Sequence, residues 1–142
     1  MKTELNKTKY KYRLVGFDQK QTDLTEKMRK ELNTIINQLI NEMKNHNKSV
    51  IKISGYTDYT GDKDVNKIIS TERAEAVAKE IREFIDFYHR INCVYKCKKT
   101  CDCIIPSYDV DGKGEYNNQN SNLSKKDEQR CVEIEFDTSI NN

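Results

Sequence analysis

Aromatic or apolar residues alternate with basic ones along Tyr10–Phe17, with Tyr10, Tyr12 and Leu14 set against Lys11 and Arg13. That period of two predicts a half-buried strand, interrupted near its end by Gly16. The period then changes. Met28, Leu32, Ile35, Ile36, Leu39, Ile40 and Met43 recur at intervals of three and four, one apolar stripe on a long amphipathic helix. Asp23 followed by Glu26 predicts a capping box at its start. After the polar break His46–Lys48, Val50, Ile51 and Ile53 predict a second strand ending at Gly55, and the loop Tyr56–Asp64 carries Gly61 among acidic and hydroxyl side chains. A second helix follows, with Ala74, Val77, Ile81, Phe84, Ile85 and Tyr88 on one face.

Ile104, Ile105, Tyr108 and Val110 predict a third strand. Pro106 breaks it and has no N–H for a ladder, which places it at a sheet edge. Residues 113–128 are rich in Asn, Ser, Gly and Lys and read as a mobile loop. In the last strand Val132, Ile134 and Phe136 alternate with Glu133, Glu135 and Asp137, so one face is buried and the other is acidic and solvated. The order βαβαββ predicts an α/β fold, an α+β sandwich with two helices packed on one face of a mixed four-stranded sheet.

The 142 residues suffice for one core and not two. Lys+Arg 25 against Asp+Glu 23 leaves a formal charge of +2. Nucleic-acid binding is not favoured, because phosphate affinity needs a concentrated basic surface, and the basic run Lys7, Lys9, Lys11 and Arg13 reads as a solvated strand face. No window approaches the ~18 consecutive apolar residues of a membrane span, and Met1–Tyr10 lacks the apolar run of a signal peptide. Composition leaves two contexts open: a cytosolic protein, or a fragment of a longer exported chain. Cys93, Cys97, Cys101 and Cys103 are spaced C-x3-C-x3-C-x-C, with Cys131 far downstream. Structural zinc sites show paired C-x2-4-C spacings instead, while an oxidising compartment would favour disulfides, the odd count leaving one thiol or a bond to another chain. His46 and His89 have no nucleophile pattern beside them, and neither a phosphate-binding glycine loop nor a G-x-S-x-G elbow is present. An enzyme is not expected.

The chemistry concentrates after the second strand. Asp58 lies just beyond the strand end, where a loop presents its carboxylate to solvent; taken alone it reads as an Asx turn. Thr60 and Asn66 taken singly read as loop and cap residues, and Ser70 as a helix cap. Arg73 is placed near a helix N-terminus, against the macrodipole. It suits either a surface pair with Glu72, Glu75 or Asp64, or a forked donor for a ligand carboxylate. Asp58 and Arg73 together form a pair able to grip both charges of an amino-acid zwitterion.

The segment Ile51–Val77, IKISGYTDYTGDKDVNKIISTERAEAV, resembles the OmpA-like peptidoglycan-associated domain. That family is shared by outer-membrane anchoring proteins, the Pal lipoprotein and the periplasmic part of MotB-type flagellar stator subunits. Its pattern is an apolar strand, Gly, an aromatic, Thr or Ala, and Asp, followed by spaced Asn, Leu or Ile before Ser, and Arg-Ala. Asp58, Asn66, Ile69, Ser70, Arg73 and Ala74 occupy those positions without a gap. Phe17 and Asp18 resemble the end of the family's first strand, Val110 with Gly112 and Gly114 its third, and Gln129–Ile134 its Asn-Arg-Arg-Val-Glu-Ile ending. Tyr56 stands where His is usual, Gln129 and Cys131 replace Asn and the second Arg, and a cysteine-rich segment replaces a short connection.

The resemblance implies a tail or linker at 1–9 and an OmpA-like domain at 10–138, with a cysteine-rich insert at 91–103 and a flexible loop at 113–128. It implies non-catalytic binding of peptidoglycan, anchoring an envelope protein to the cell wall. Asp58 would accept from the ammonium of diaminopimelate in the stem peptide and Arg73 would bond its carboxylate. Thr60 and Asn66 would complete the cradle, with Arg130 at the rim. No cofactor or metal is implied. The expected location is the bacterial periplasm or cell envelope, the parent chain being anchored in the outer or inner membrane outside this fragment, with a homodimer left open. The insert is expected to be disulfide-stapled, one bond reaching Cys131. Two alternatives stand beside this reading: a structural, stator-like module with a vestigial pocket, and a zinc or redox protein using Cys93, Cys97, Cys101 and Cys103.

Overall fold

The computed structural model describes residues 8–43, 48–91, 106–116 and 126–139. Within them the alternating segments form strands β1 (Thr8–Val15), β2 (Lys48–Thr57), β3 (Ser107–Glu115) and β4 (Cys131–Ser139), and the striped segments form helices α1 (Glu26–Met43) and α2 (Lys63–His89). A short helix α3 (Lys126–Gln129) precedes β4. The sheet order is β1-β4-β2-β3. β4 pairs antiparallel with both β1 and β2, and β2 pairs parallel with β3, the strand to which α2 leads back. β3 is an edge strand, in keeping with the proline that precedes it.

One face of the sheet is apolar. Leu14, Ile51, Ile53, Val132, Ile134 and Phe136 meet Met28, Leu32, Ile36, Leu39 and Ile40 of α1, and Ala74, Val77, Ala78, Ile81 and Ile85 of α2, in a single core. The two long helices therefore share the face that the strand alternation marks as apolar.

The opposite face is less open than alternation suggests. Glu133, expected to be solvated, is only 7% exposed. β1–β4 register sets Arg13 opposite Glu133, and the Arg13 guanidinium pairs with its carboxylate at 2.9 Å while the Tyr116 hydroxyl donates to it at 2.9 Å. Arg13 and Lys11 of β1 thus neutralise Glu133 of β4. Burial works to raise the Glu133 pKa, but the hydrogen bonds from Arg13 and Tyr116 outweigh it and hold the carboxyl below its usual range.

Three local expectations change. The cap of α1 is Thr25, whose hydroxyl accepts from the Met28 amide at 3.1 Å, so the helix starts one short turn after the Asp23 signal. Both ends of the stretch 113–128 belong to regular elements, because β3 continues to Glu115 by pairing with Thr57 and α3 begins at Lys126. Cys131 is a free, fully buried thiol, so the bond expected from the insert to it is not made. Cys93, Cys97, Cys101 and Cys103, and with them the stapling and zinc expectations, lie outside the described residues.

The α2–sheet contact rests on absent side chains. Gly55 and Gly112 are neighbours across the β2–β3 ladder. A Cβ on Gly55 would collide with the Ser70 carbonyl and reach 3.1 Å from the Ala74 amide nitrogen, and one on Gly112 would strike the Thr71 backbone. In that gap the Ser70 hydroxyl donates to the Lys67 carbonyl at 2.9 Å and accepts from the Gly114 amide at 2.9 Å. Ser70 is therefore a pin between helix and sheet, not a helix cap.

Substituting Gly55→Ala should cost about 1–3 kcal/mol or more, since the obstacle is backbone that cannot rotate away; urea unfolding of the two proteins measures it. Burial, with the Glu133 charge beside it, raises the Cys131 thiol to about 12. Thiol alkylation followed by peptide mapping should therefore leave Cys131 unmodified in the folded protein and modify it once denatured.

Candidate functional site

β2 ends at Thr57, and the chain then turns through Asp58 to Asp62 before α2 begins. Asp58 is 3% exposed, so the loop folds its carboxylate inward instead of offering it to bulk water. One oxygen, Oδ1, accepts from the Thr60 amide at 2.9 Å and from the Thr60 hydroxyl. This is the Asx turn expected of an isolated aspartate. The other oxygen, Oδ2, accepts from the Arg130 guanidinium at 2.8 Å. The turn and the ion pair coexist because they use different oxygens.

Thr60 ties the loop together. Its hydroxyl also accepts from the Gln19 amide at 2.9 Å, and its carbonyl accepts from the Asn66 side-chain amide at 2.9 Å. Gly61 between them has φ +90, a left-handed conformation suited to glycine. The cap of α2 is Asp62, whose carboxylate accepts from the amides of Asp64 and Val65 at 2.7 and 3.3 Å. Asn66 lies inside the first turns of the helix and is buried.

Arg73 sits deep in α2, not at its N-terminus, and is 1% exposed. None of the acidic neighbours pairs with it. Its Nε donates to the Gln21 carbonyl at 2.7 Å, Nη1 to the Tyr56 carbonyl at 2.9 Å and Nη2 to the Asp18 carbonyl at 2.8 Å. The guanidinium also lies 4.9 Å from the Phe17 ring centroid. Burial, and secondarily the like charge of Arg130, lowers its pKa to about 10, so it stays protonated at neutral pH. Arg130 reaches the same loop, its Nε donating to the Phe17 carbonyl at 2.7 Å.

These groups border one cleft of about 170 Å³, lined by Gln19, Lys20, Thr57, Asp58, Asn66 and Arg73 with Thr60, Asp62 and Arg130 among their neighbours. All five residues singled out by sequence, Asp58, Thr60, Asn66, Arg73 and Arg130, reach it. Sequence reasoning missed Gln19 and Lys20, which lie in an unmarked turn after β1, and Thr57. The Thr57 hydroxyl is buried without a hydrogen-bond partner among the described residues. Tyr56 is not part of the cleft; strand alternation sends its ring to the other face, 4.7 Å from that of Tyr116.

A family model for the OmpA family matches residues 16–86, half of the chain and all of the segment that builds this cleft apart from Arg130. The chain belongs to the OmpA family. Solved structures share its fold. The peptidoglycan-associated lipoprotein of Burkholderia pseudomallei aligns with a TM-score of 0.57 at 17% identity, covering 86% of this chain and 87% of that one. The OmpA-like domain of FopA1 from Francisella tularensis gives 0.56 at 20% identity, covering 96% and 77%. The periplasmic domain of Helicobacter pylori MotB gives 0.56 at 18%, covering 94% and 77%. No curated protein matches the sequence. At these identities it is the OmpA-family fold that is shared.

Asp58 supplies a pH test. Burial raises its pKa, but the bonds from Thr60 and Arg130 outweigh burial and leave it below the ordinary aspartate value. A lowered carboxylate pKa contributes stability that is present above the unfolded-state value and lost as pH falls through the folded one. Asp58→Asn should therefore be less stable than wild type by about 1–3 kcal/mol near neutral pH. The gap should begin to narrow as pH falls to the ordinary aspartate value and close only once pH has passed below the lowered folded-state value; urea melts from neutral to strongly acidic pH measure it.

Proposed function

We propose that this OmpA-family domain binds peptidoglycan without catalysis and tethers a membrane-anchored parent protein to the cell wall, in the bacterial periplasm or envelope. The ligand is the zwitterionic end of a diaminopimelate residue in the stem peptide. The observation that carries the reading is the convergence of the Asp58 carboxylate with the Arg73 and Arg130 guanidinium groups on one small cleft. Two fold relatives, a peptidoglycan-associated lipoprotein and the periplasmic domain of a MotB, are in keeping with it.

The chemistry follows from charge pairing. A zwitterion stripped of water needs both charges met, because an uncompensated buried charge is costly. Asp58 would take the ammonium on the lone pairs left by Thr60 and Arg130. A guanidinium carries five N–H groups, and three of those of Arg73 are held by main-chain carbonyls, leaving two for a carboxylate. Thr60, Asn66 and Arg130 would close the sides of the cradle, and the unpartnered Thr57 hydroxyl offers the floor a further polar contact.

One observation favours a second reading. In the unliganded cleft Asp58 is already paired with Arg130, and Arg73 already holds three carbonyls. A module kept only for its shape, with a vestigial pocket, would look the same. Titration of diaminopimelate monitored by amide chemical shifts separates the two. Binding should shift the amides of Asp58–Asn66, and Asp58→Ala should lower affinity at least about a hundredfold while keeping a cooperative melt. Shifts that are absent in wild type, or that persist in Asp58→Ala, would leave only the structural role. Arg130→Gln is the better second variant, because Arg73→Ala would also release three carbonyl contacts and confound folding with binding.

A further inference from the structure

The turn joining β1 to α1 contains a residue that its backbone does not suit. The Gln21 amide donates to the Asp18 carbonyl at 3.0 Å, closing a β-turn in which Lys20 is the third residue, with φ +66. Glycine or asparagine is the usual occupant of that position. Among the described residues Lys20 is the one non-glycine with positive φ. A left-handed backbone costs a long side chain roughly 1 kcal/mol or more.

The surroundings fix this conformation. Arg73 holds the carbonyls of Asp18 and Gln21 on either side of Lys20. Arg130 holds the Phe17 carbonyl, and the Gln21 side chain accepts from the Asp18 amide at 2.8 Å. Gln19 and Lys20 are both exposed. Core packing therefore does not require a lysine at this position, and glycine would fill it at lower cost. What the position does give Lys20 is a place on the cleft wall. No hydrogen bond or ion pair among the described residues holds its ammonium.

The charge balance of the cleft points the same way. Lys20, Arg73 and Arg130 face Asp58 and Asp62, three cations against two carboxylates. Asp62 is committed to the α2 cap and Asp58 to Arg130. Arg73 keeps two N–H groups beyond its three main-chain carbonyls, and Lys20 is the cleft cation that no bond among the described residues commits.

We propose that Lys20 is a specificity-determining residue of the cleft, held in a strained turn so that its ammonium pairs with the ligand carboxylate and selects the free acid over its carboxamide. This rests on the zwitterion reading above. An amide carries no charge to complement the ammonium, so discrimination between acid and amide should pass through Lys20.

The test is calorimetric titration of diaminopimelate and of its diamide, in which neither end keeps a carboxylate, into wild type, Lys20→Gln, Lys20→Arg and Lys20→Gly, with thermal melts of each. Lys20→Gln should bind the free acid about tenfold more weakly, the scale of one lost charge-assisted hydrogen bond, and should bind acid and amide with closer affinities than wild type does. Lys20→Arg should retain most of the preference. Lys20→Gly should lose it while melting several degrees higher, because the turn is relieved. Unchanged acid affinity and acid-to-amide ratio in Lys20→Gln would overturn the proposal while leaving the zwitterion site standing. A wild type that takes up neither compound would overturn both.

Discussion

Everything at the functional end of this domain depends on one buried guanidinium. Arg73 gathers three carbonyls from two separate parts of the chain, Asp18 and Gln21 after β1 and Tyr56 in β2, and packs against the Phe17 ring. Each carbonyl alone would be a modest hydrogen bond, but a planar fork satisfied on three sides fixes direction as well as distance. With Arg130 gripping the turn after β1 at Phe17 and reaching Asp58, two cations set the wall of the cleft relative to its floor. The guanidinium that we propose meets the ligand is thus also what assembles the cleft, and binding there would be coupled to the order of the turn.

That guanidinium is in place because α2 lies unusually close to the sheet. Gly55 and Gly112 remove the side chains that would hold the helix away, and Ser70 and Ala74 present small ones to the gap. The spacing of Ser70, Arg73 and Ala74 along one helical face puts the hydroxyl pin, the cation and the close-packed methyl on consecutive turns. A single local motif therefore encodes a docking distance first, and a charge position as its result.

The strands, helices and order of the fold were legible because their apolar periods are long and clean: two in β1 and β4, and between three and four in α1 and α2. Asp58, Thr60, Asn66, Arg73 and Arg130, which the structure brings to one cleft, also stood out in the sequence. What could not be seen was which atoms they use. Asp58 divides its oxygens between a turn and an ion pair, and Ser70 and Arg73 lie well inside a helix that starts at an Asp62 cap obscured by flanking acids. Glu133 was misjudged because its burial comes from Arg13, a partner more than a hundred residues away that only strand register identifies. Lys20 carried no sequence signal, since nothing in its side chain announces a left-handed backbone.

The strand directions separate this domain into two poles. The turns that build the cleft follow β1 and β2 and precede β4, and the pairings Val15 with Cys131 and Gly55 with Val132 bring them to one end of the sheet. The chain re-enters β3 at the other end, where Ser107 pairs with Val50 near the start of β2. Pro106, which precedes that first pair, lies toward the pole away from the cleft. The ten residues of β2 span the distance between the two poles, so a change where Ser107 meets Val50 reaches the cleft only through the sheet.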